Sequence, residues 1–197
     1  FSFGGGGNDF FGFGGNSRYQ SRAAKGQDYE YELGVSIADA YNGAKREVSL
    51  NLGNSLKKVS VNIPAGIGEG QKLRLKGEGG AGANGGPNGD LLIKIKINSS
   101  SKLYLEGRDI VSAKDIKVTE ALLGTTVQIT DAAGKKFDLK VPAGTKNGTK
   151  LRLKGKGMPP MKKLAGGDLY VKIKVITPKN LTDEQRELID KLAATGI

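Results

Sequence analysis

"PAGIGEGQKLRLKGEG", Pro64 to Gly79, returns as "PAGTKNGTKLRLKGKG", Pro142 to Gly157, with eleven of sixteen positions identical. The offset of 78 residues holds without a gap from Pro64/Pro142 to Lys96/Lys174. A unit repeated at that distance marks two similar modules of about 75–80 residues in one chain. Within the unit, Lys72, Arg74 and Lys76 oppose Leu73 and Leu75. Alternation of that kind belongs to a sheet with one wet face and one packed face. Asp90 and Asp168 also recur, each after a glycine and before a strand. A turn-capping carboxylate is needed in every copy of a scaffold, whereas a catalytic one rarely is. The repeat therefore reads as scaffold.

Working outward, "DYEYEL" alternates strictly, with Tyr29, Tyr31 and Leu33 on one face of a strand. "SIADAYNG" fits a short helical turn, with Ser36 as N-cap, Asp39 at capping-box spacing and Asn42-Gly43 as the stop. "REVSLNL" puts Arg46, Val48, Leu50 and Leu52 on one strand face. Gly53 to Ser55 makes a turn, and "KVSVNI" and "DLLIKIKI" are further strands. In the second copy "IKVTEALLGTTVQI", "FDLKV" and "GGDLYVKIKV" repeat the order. "GEGGAGANGGPNG" between Lys76 and Asp90 reads as a flexible loop. Its G-x-G-x-x-G match opens no helix, so it lacks the N-terminus that a dinucleotide phosphate needs. The expected fold is mostly β: two tandem, similar sandwich- or barrel-like domains, each with one short helix.

The ends differ from this body. Residues 1–16 are mostly glycine and phenylalanine, with Phe1, Phe3, Phe10, Phe11 and Phe13 among them. Such composition buries too little surface to offset backbone entropy and is expected to be mobile. "LTDEQRELIDKLAATG" is a capped helix, with Thr182 and Gln185 forming the capping box. Leu188, Ile189 and Leu192 form its narrow apolar stripe, which needs a partner surface. The expected divisions are 1–26, 27–102, 103–180 and 181–197.

Composition narrows the chemistry. The chain has no histidine and no cysteine. That excludes Ser-His-Asp and Cys-His catalysis, disulfides and Cys/His zinc sites within it. No enzyme activity, metal or cofactor is expected. The net charge of +11 admits nucleic acid, an anionic membrane surface or an acidic protein as partner. No apolar run approaches the ~20 residues of a membrane span, so no membrane contact is expected, and the lack of cysteine suits a cytoplasmic location. The chain starts at Phe1 without an initiator methionine and is expected to be a fragment.

In combination, the Gly/Phe-rich leader, "DYEYELGVSIADAYNGAKREVSL", "GGPNGDLLIKIKI", "EGRDIVSAKDIKVTEALLGTTVQI", the repeated unit and "LTDEQRELIDKLA" resemble the C-terminal region of a DnaJ-type (Hsp40) co-chaperone. The resemblance implies two β-rich domains in series and a C-terminal helix that makes a homodimer. The class implied is the zinc-free one, similar to curved-DNA-binding co-chaperones, because only Gly53, Asn54 and Ser55 stand where a zinc-finger insert would. It also implies unfolded client polypeptides and an Hsp70 as partners, and DNA as an alternative one. No His-Pro-Asp motif of a J domain is present, so this chain alone should not stimulate an Hsp70 ATPase. Carried over by motif, the client groove would be lined by Tyr31 and Leu33 on the first strand and by Arg46, Val48 and Leu50 on the second. Leu188, Ile189 and Leu192 would dimerise the chain.

Overall fold

The computed structural model describes residues 23–52, 55–161 and 164–196. The Gly/Phe-rich segment 1–16 and the expected turn residues Gly53 and Asn54 lie outside them. The first copy runs β1 (Tyr29–Ser36), α1 (Ile37–Asn42), β2 (Ala44–Leu52), β3 (Ser55–Ile63), β4 (Lys72–Leu75) and β5 (Leu91–Asn98). The second runs β6 (Leu103–Glu106), β7 (Asp109–Lys117), α2 (Val118–Leu123), β8 (Thr125–Thr130), β9 (Lys136–Val141), β10 (Lys150–Leu153) and β11 (Leu169–Ile176). Helix α3 (Asp183–Ala193) follows. The fold is mostly β, as the alternation predicts.

Each copy sets a sheet against a hairpin. The sheets are ordered β1-β5-β4 and β10-β11-β7-β6, and the hairpins are β2-β3 and β8-β9. Each sheet holds one parallel pairing, β1 with β5 at the edge of the first and β7 with β11 at the centre of the second. Period-two burial explains why these strands form. Along β5, Leu91, Ile93, Ile95 and Ile97 are buried while Lys94 and Lys96 are exposed. On β11, Leu169, Val171 and Ile173 repeat the pattern. Each such aliphatic side chain contributes about 1.5–3 kcal/mol when fully withdrawn from water. The hairpins supply the opposite wall, with Val48, Leu50, Val59, Val61 and Ile63 buried in the first copy.

The helical turns are set by local chemistry. Ser36 Oγ accepts the Asp39 N–H at 3.1 Å, and Gly43 stops α1 at φ 77°. Gly124 does the same for α2 at φ 83°. A side chain at Gly43 would be strained by that φ and would also meet Ala65 N at 3.0 Å.

The glycine-rich segment after β4 is corrected by the structure. It is not loose. Gly26 N–H donates to Pro87 O at 2.9 Å and Gly80 N–H to Gln27 O at 2.8 Å. Ala24 and Ala83 form a bridge. A Cβ at Gly86 would sit 2.0 Å from Ala24 O, and one at Gly89 would sit 2.1 Å from Gln27 O. These glycines let two backbones touch. Sequence composition alone cannot separate that use of glycine from flexibility.

The recurring aspartates behave as predicted. Asp90 Oδ1 accepts the Gly77 N–H at 3.0 Å, and its Oδ2 meets Arg74 Nε at 2.9 Å. Asp168 takes the Gly155 N–H at 2.7 Å and Arg152 Nε at 2.7 Å. The Gly77 N–H, then Arg74, hold the Asp90 carboxyl down from 3.8 to about 2. A carboxylate with a depressed folded pKa adds stability that is complete above its unfolded pKa and is lost as the pH falls through the folded value. The unfolding midpoint in urea should thus fall as pH drops from about 4 towards 2, and Asp90→Asn should flatten that part of the curve. An unchanged slope in the variant would show that Asp90 is not the group responsible.

The copies meet at Arg108. Its guanidinium donates to Gly66 O of the first copy at 3.2 Å and to Ala165 O of the second at 2.6 Å. Pro159 O is a third acceptor. Gly66 abuts the same loop: a Cβ there would lie 2.8 Å from Pro159 O. One cation with three backbone acceptors from both sides fixes this junction.

Candidate functional site

Among the described residues, two of the open strand edges of the first copy flank α1. β1 ends its sheet, and β2 pairs only with β3. Helix α1 joins the two strands, which share no ladder with each other. In the second copy β7 takes the place of β1, pairing in parallel with β11 as β1 does with β5. There β6 pairs with the other edge of β7, Leu103 with Ser112 and Tyr104 with Val111. The edge left open in copy one is closed in copy two.

Side chains differ in the same sense. Tyr31 stands opposite Ile93, and Leu33 opposite Ile95. The corresponding residues opposite Val171 and Ile173 are Ser112 and Lys114. Tyr31 is 37% exposed, a large apolar ring facing water. Leu33 is half-buried against the core, and Val35 is fully inside. From Tyr31 to Val35 the apolar face of β1 thus passes from surface to core.

On β2 the predicted residues separate. Val48 and Leu50 are 7% and 3% exposed and belong to the core. A period-two apolar pattern describes a groove wall and a core wall equally, and here packing takes both residues. Arg46 remains accessible at the end of the same face. It is paired with Asp39 of α1 at 2.5 Å. That guanidinium, then the Ser36 hydroxyl, hold the Asp39 carboxyl below its usual range. An anionic ligand reaching Arg46 would compete with Asp39. The reachable part of the predicted set is therefore Tyr31, Leu33 and Arg46.

Helix α3 has the predicted cap: Gln185 N–H donates to Thr182 Oγ1 at 3.2 Å, and Thr182 N–H to Gln185 Oε1 at 3.1 Å. None of its residues is buried. Leu188, Ile189 and Leu192 are 58%, 45% and 41% exposed. A cleft of about 570 Å³ lies between this helix, the Ile176–Pro178 segment and the start of α2. An isolated helix of this length is marginal in water, and its stripe has no partner within the described chain.

Among the described residues no group of three or more His, Cys, Asp or Glu is placed to hold a metal. No helix of the described residues is long and apolar enough to cross a membrane.

Sequence reasoning missed three features. Strand β6 is short and lacks alternation. β7 buries the adjacent Ile110 and Val111, which breaks the period-two signal at its start. Arg108 carries no motif. Aligning the two copies residue by residue does flag Ser112 and Lys114 against Tyr31 and Leu33.

These features define a class: a duplicated β scaffold that keeps one apolar strand edge open and ends in an unpartnered amphipathic helix. A family model described as the DnaJ C terminal domain matches residues 29–178, and the chain belongs to that family. It is 44% identical over 135 residues to "Chaperone protein DnaJ" of Brucella anthropi, covering 68% of this chain and 36% of that protein. The protein of the same name in Natronomonas pharaonis is 43% identical over 138 residues, covering 70% and 36%. That of Bartonella quintana is 46% identical over 136 residues, covering 68% and 36%. The matched region thus spans 36% of the length of these relatives.

Proposed function

We infer that this chain is the client-binding part of a DnaJ-type co-chaperone. An extended apolar segment of an unfolded polypeptide lies along the open strand edges of the first copy. Main-chain hydrogen bonds to an edge supply affinity, and Tyr31 and Leu33 supply apolar contact. Arg46 at the rim meets acidic groups of the client or of an Hsp70 tail by displacing Asp39. Val48 and Leu50 support this surface from beneath. The client is then passed to an Hsp70 in the cytoplasm, without chemistry performed by this chain. The copies act as domains 27–102 and 103–180, and 181–197 pairs two chains through Leu188, Ile189 and Leu192. Two grooves on one dimer gain affinity by multivalency.

The observation that carries this reading is the contrast between copies. One scaffold leaves an edge open with tyrosine and leucine on it. The other covers the edge and replaces them by serine and lysine. Replacing Tyr31 with alanine should weaken binding of an apolar peptide about tenfold, as removal of an exposed aromatic anchor does. Suppression of client aggregation should fall with it, and the melting temperature should stay unchanged. Full activity in the folded variant would remove Tyr31 from the site.

A further inference from the structure

The two copies differ in charge as well as in edge. Residues 103–180 carry sixteen Lys and Arg against seven Asp and Glu, whereas residues 27–102 carry ten against eight. One position localises the difference. In the first copy Lys57 Nζ lies 2.7 Å from Glu78 Oε2, beside the buried Val59 of β3. At the same three places, 78 residues on, stand Lys135, Lys156 and Phe137. Lys135 Nζ is 5.5 Å and Lys156 Nζ 4.8 Å from the centroid of the Phe137 ring. Neither lysine has an ion-pair partner among the described residues. A neutral pair has become two ammonium groups drawn to one aromatic ring. The ring offsets part of their repulsion, and an incoming carboxylate offsets the rest.

The strand that carries Phe137 says what kind of anion fits. β9 pairs only with β8, so its outer edge is unpaired among the described residues. An extended polypeptide can take such an edge with its own N–H and C=O groups. Nucleic acid has no ladder to offer. Its bases need open aromatic faces, and here cations lie over the ring. The described arginines of this copy are engaged, Arg108 with backbone carbonyls and Arg152 with Asp168.

We propose that the second copy binds an acidic, extended polypeptide segment along β9, its carboxylates held by Lys135 and Lys156 over Phe137. This rests on reading the chain as a polypeptide binder and gives its copies separate selectivities: apolar segments at Tyr31, acidic ones at Phe137.

Fluorescence anisotropy on the full chain tests it. The probes are a labelled peptide alternating Glu and Val, the same peptide with Gln for Glu, and an apolar peptide. A DNA duplex of mixed sequence serves as competitor. Lys135→Gln with Lys156→Gln should weaken the Glu peptide about tenfold, as loss of close charge pairs does. The control, Lys146→Gln with Lys179→Gln, removes the same charge elsewhere in the copy and should leave binding within about twofold. The apolar peptide should respond to Tyr31→Ala alone. If it does not bind while the Glu peptide behaves as stated, the groove in copy one fails and the acidic site stands. Equal losses in both lysine double variants would reduce the site to net charge and overturn it. So would equal affinity for the Gln peptide, absence of binding, or DNA binding through these lysines without binding of the Glu peptide.

Discussion

Leu50→Ala is expected to destabilise the first copy by about 2–5 kcal/mol, the usual cost of emptying a buried leucine site. Leu50 is 3% exposed and Val48, two residues before it, 7%. The facing hairpin strand contributes Val59 and Val61, both buried. Little of that wall can collapse into the space, because β2 and β3 are tied by a ladder from Ala44/Ile63 to Leu52/Ser55. The loss is a large fraction of a domain's net stability of about 5–15 kcal/mol. Urea denaturation followed by circular dichroism should show a lower midpoint with an unchanged slope. An unchanged midpoint would take Leu50 out of the core. For functional work the consequence is direct. Substitutions at Val48 or Leu50 report on folding, and binding is read through Tyr31.

The second large effect is expected at α3. Leu188→Asp with Ile189→Asp should weaken self-association more than about a hundredfold, because two apolar anchors of the proposed interface become charges that must be desolvated. Both side chains are about half exposed within one chain and flank the cleft beside α2. The helix buries none of its residues, so the melting of the two copies should hardly change. Sedimentation velocity across a concentration series gives the answer. A dimer that survives the double substitution would place the contact elsewhere.

The fold was largely legible because each signal had a single cause. The 78-residue offset could come only from duplication. Alternation on β5 and β11 has one wet side and one dry side, so it could only be sheet. The caps at Ser36 and Thr182 are local and need no tertiary knowledge. Legibility failed where one pattern had two causes. The segment with Gly80, Gly86 and Gly89 read as a loose loop, yet those three glycines are the points where residues 24–27 approach within backbone contact. The alternation of Val48 and Leu50 fits a groove wall and a core wall equally, and both residues are buried. Strand β7 buries the adjacent Ile110 and Val111 and loses its alternation there.

The site was legible in part for the same reason. Tyr31 stands out because a large apolar side chain remains exposed at a strand position whose neighbours descend into the core. Nothing in one copy alone tells that its edge is open, since edges are made by the strands that are missing. Comparing the copies supplies that information. β6 in copy two shows what closing the edge requires, and Ser112 and Lys114 show which side chains then suffice. The swap of Glu78 for Lys156 lies inside the most strongly repeated stretch of the chain, among its five differing positions. Identity there marks scaffold, and the differences mark where the copies diverge in use.

The central claim is that an extended apolar polypeptide lies on the open edges of β1 and β2. Backbone amide shifts of the full chain, followed by NMR during titration with an unlabelled apolar peptide, test it most directly. The largest changes should fall on residues 29–33 and 45–51, with the amides of β7 and β8 unmoved. Changes centred on β7, β8 or α3, with β1 and β2 silent, would contradict it.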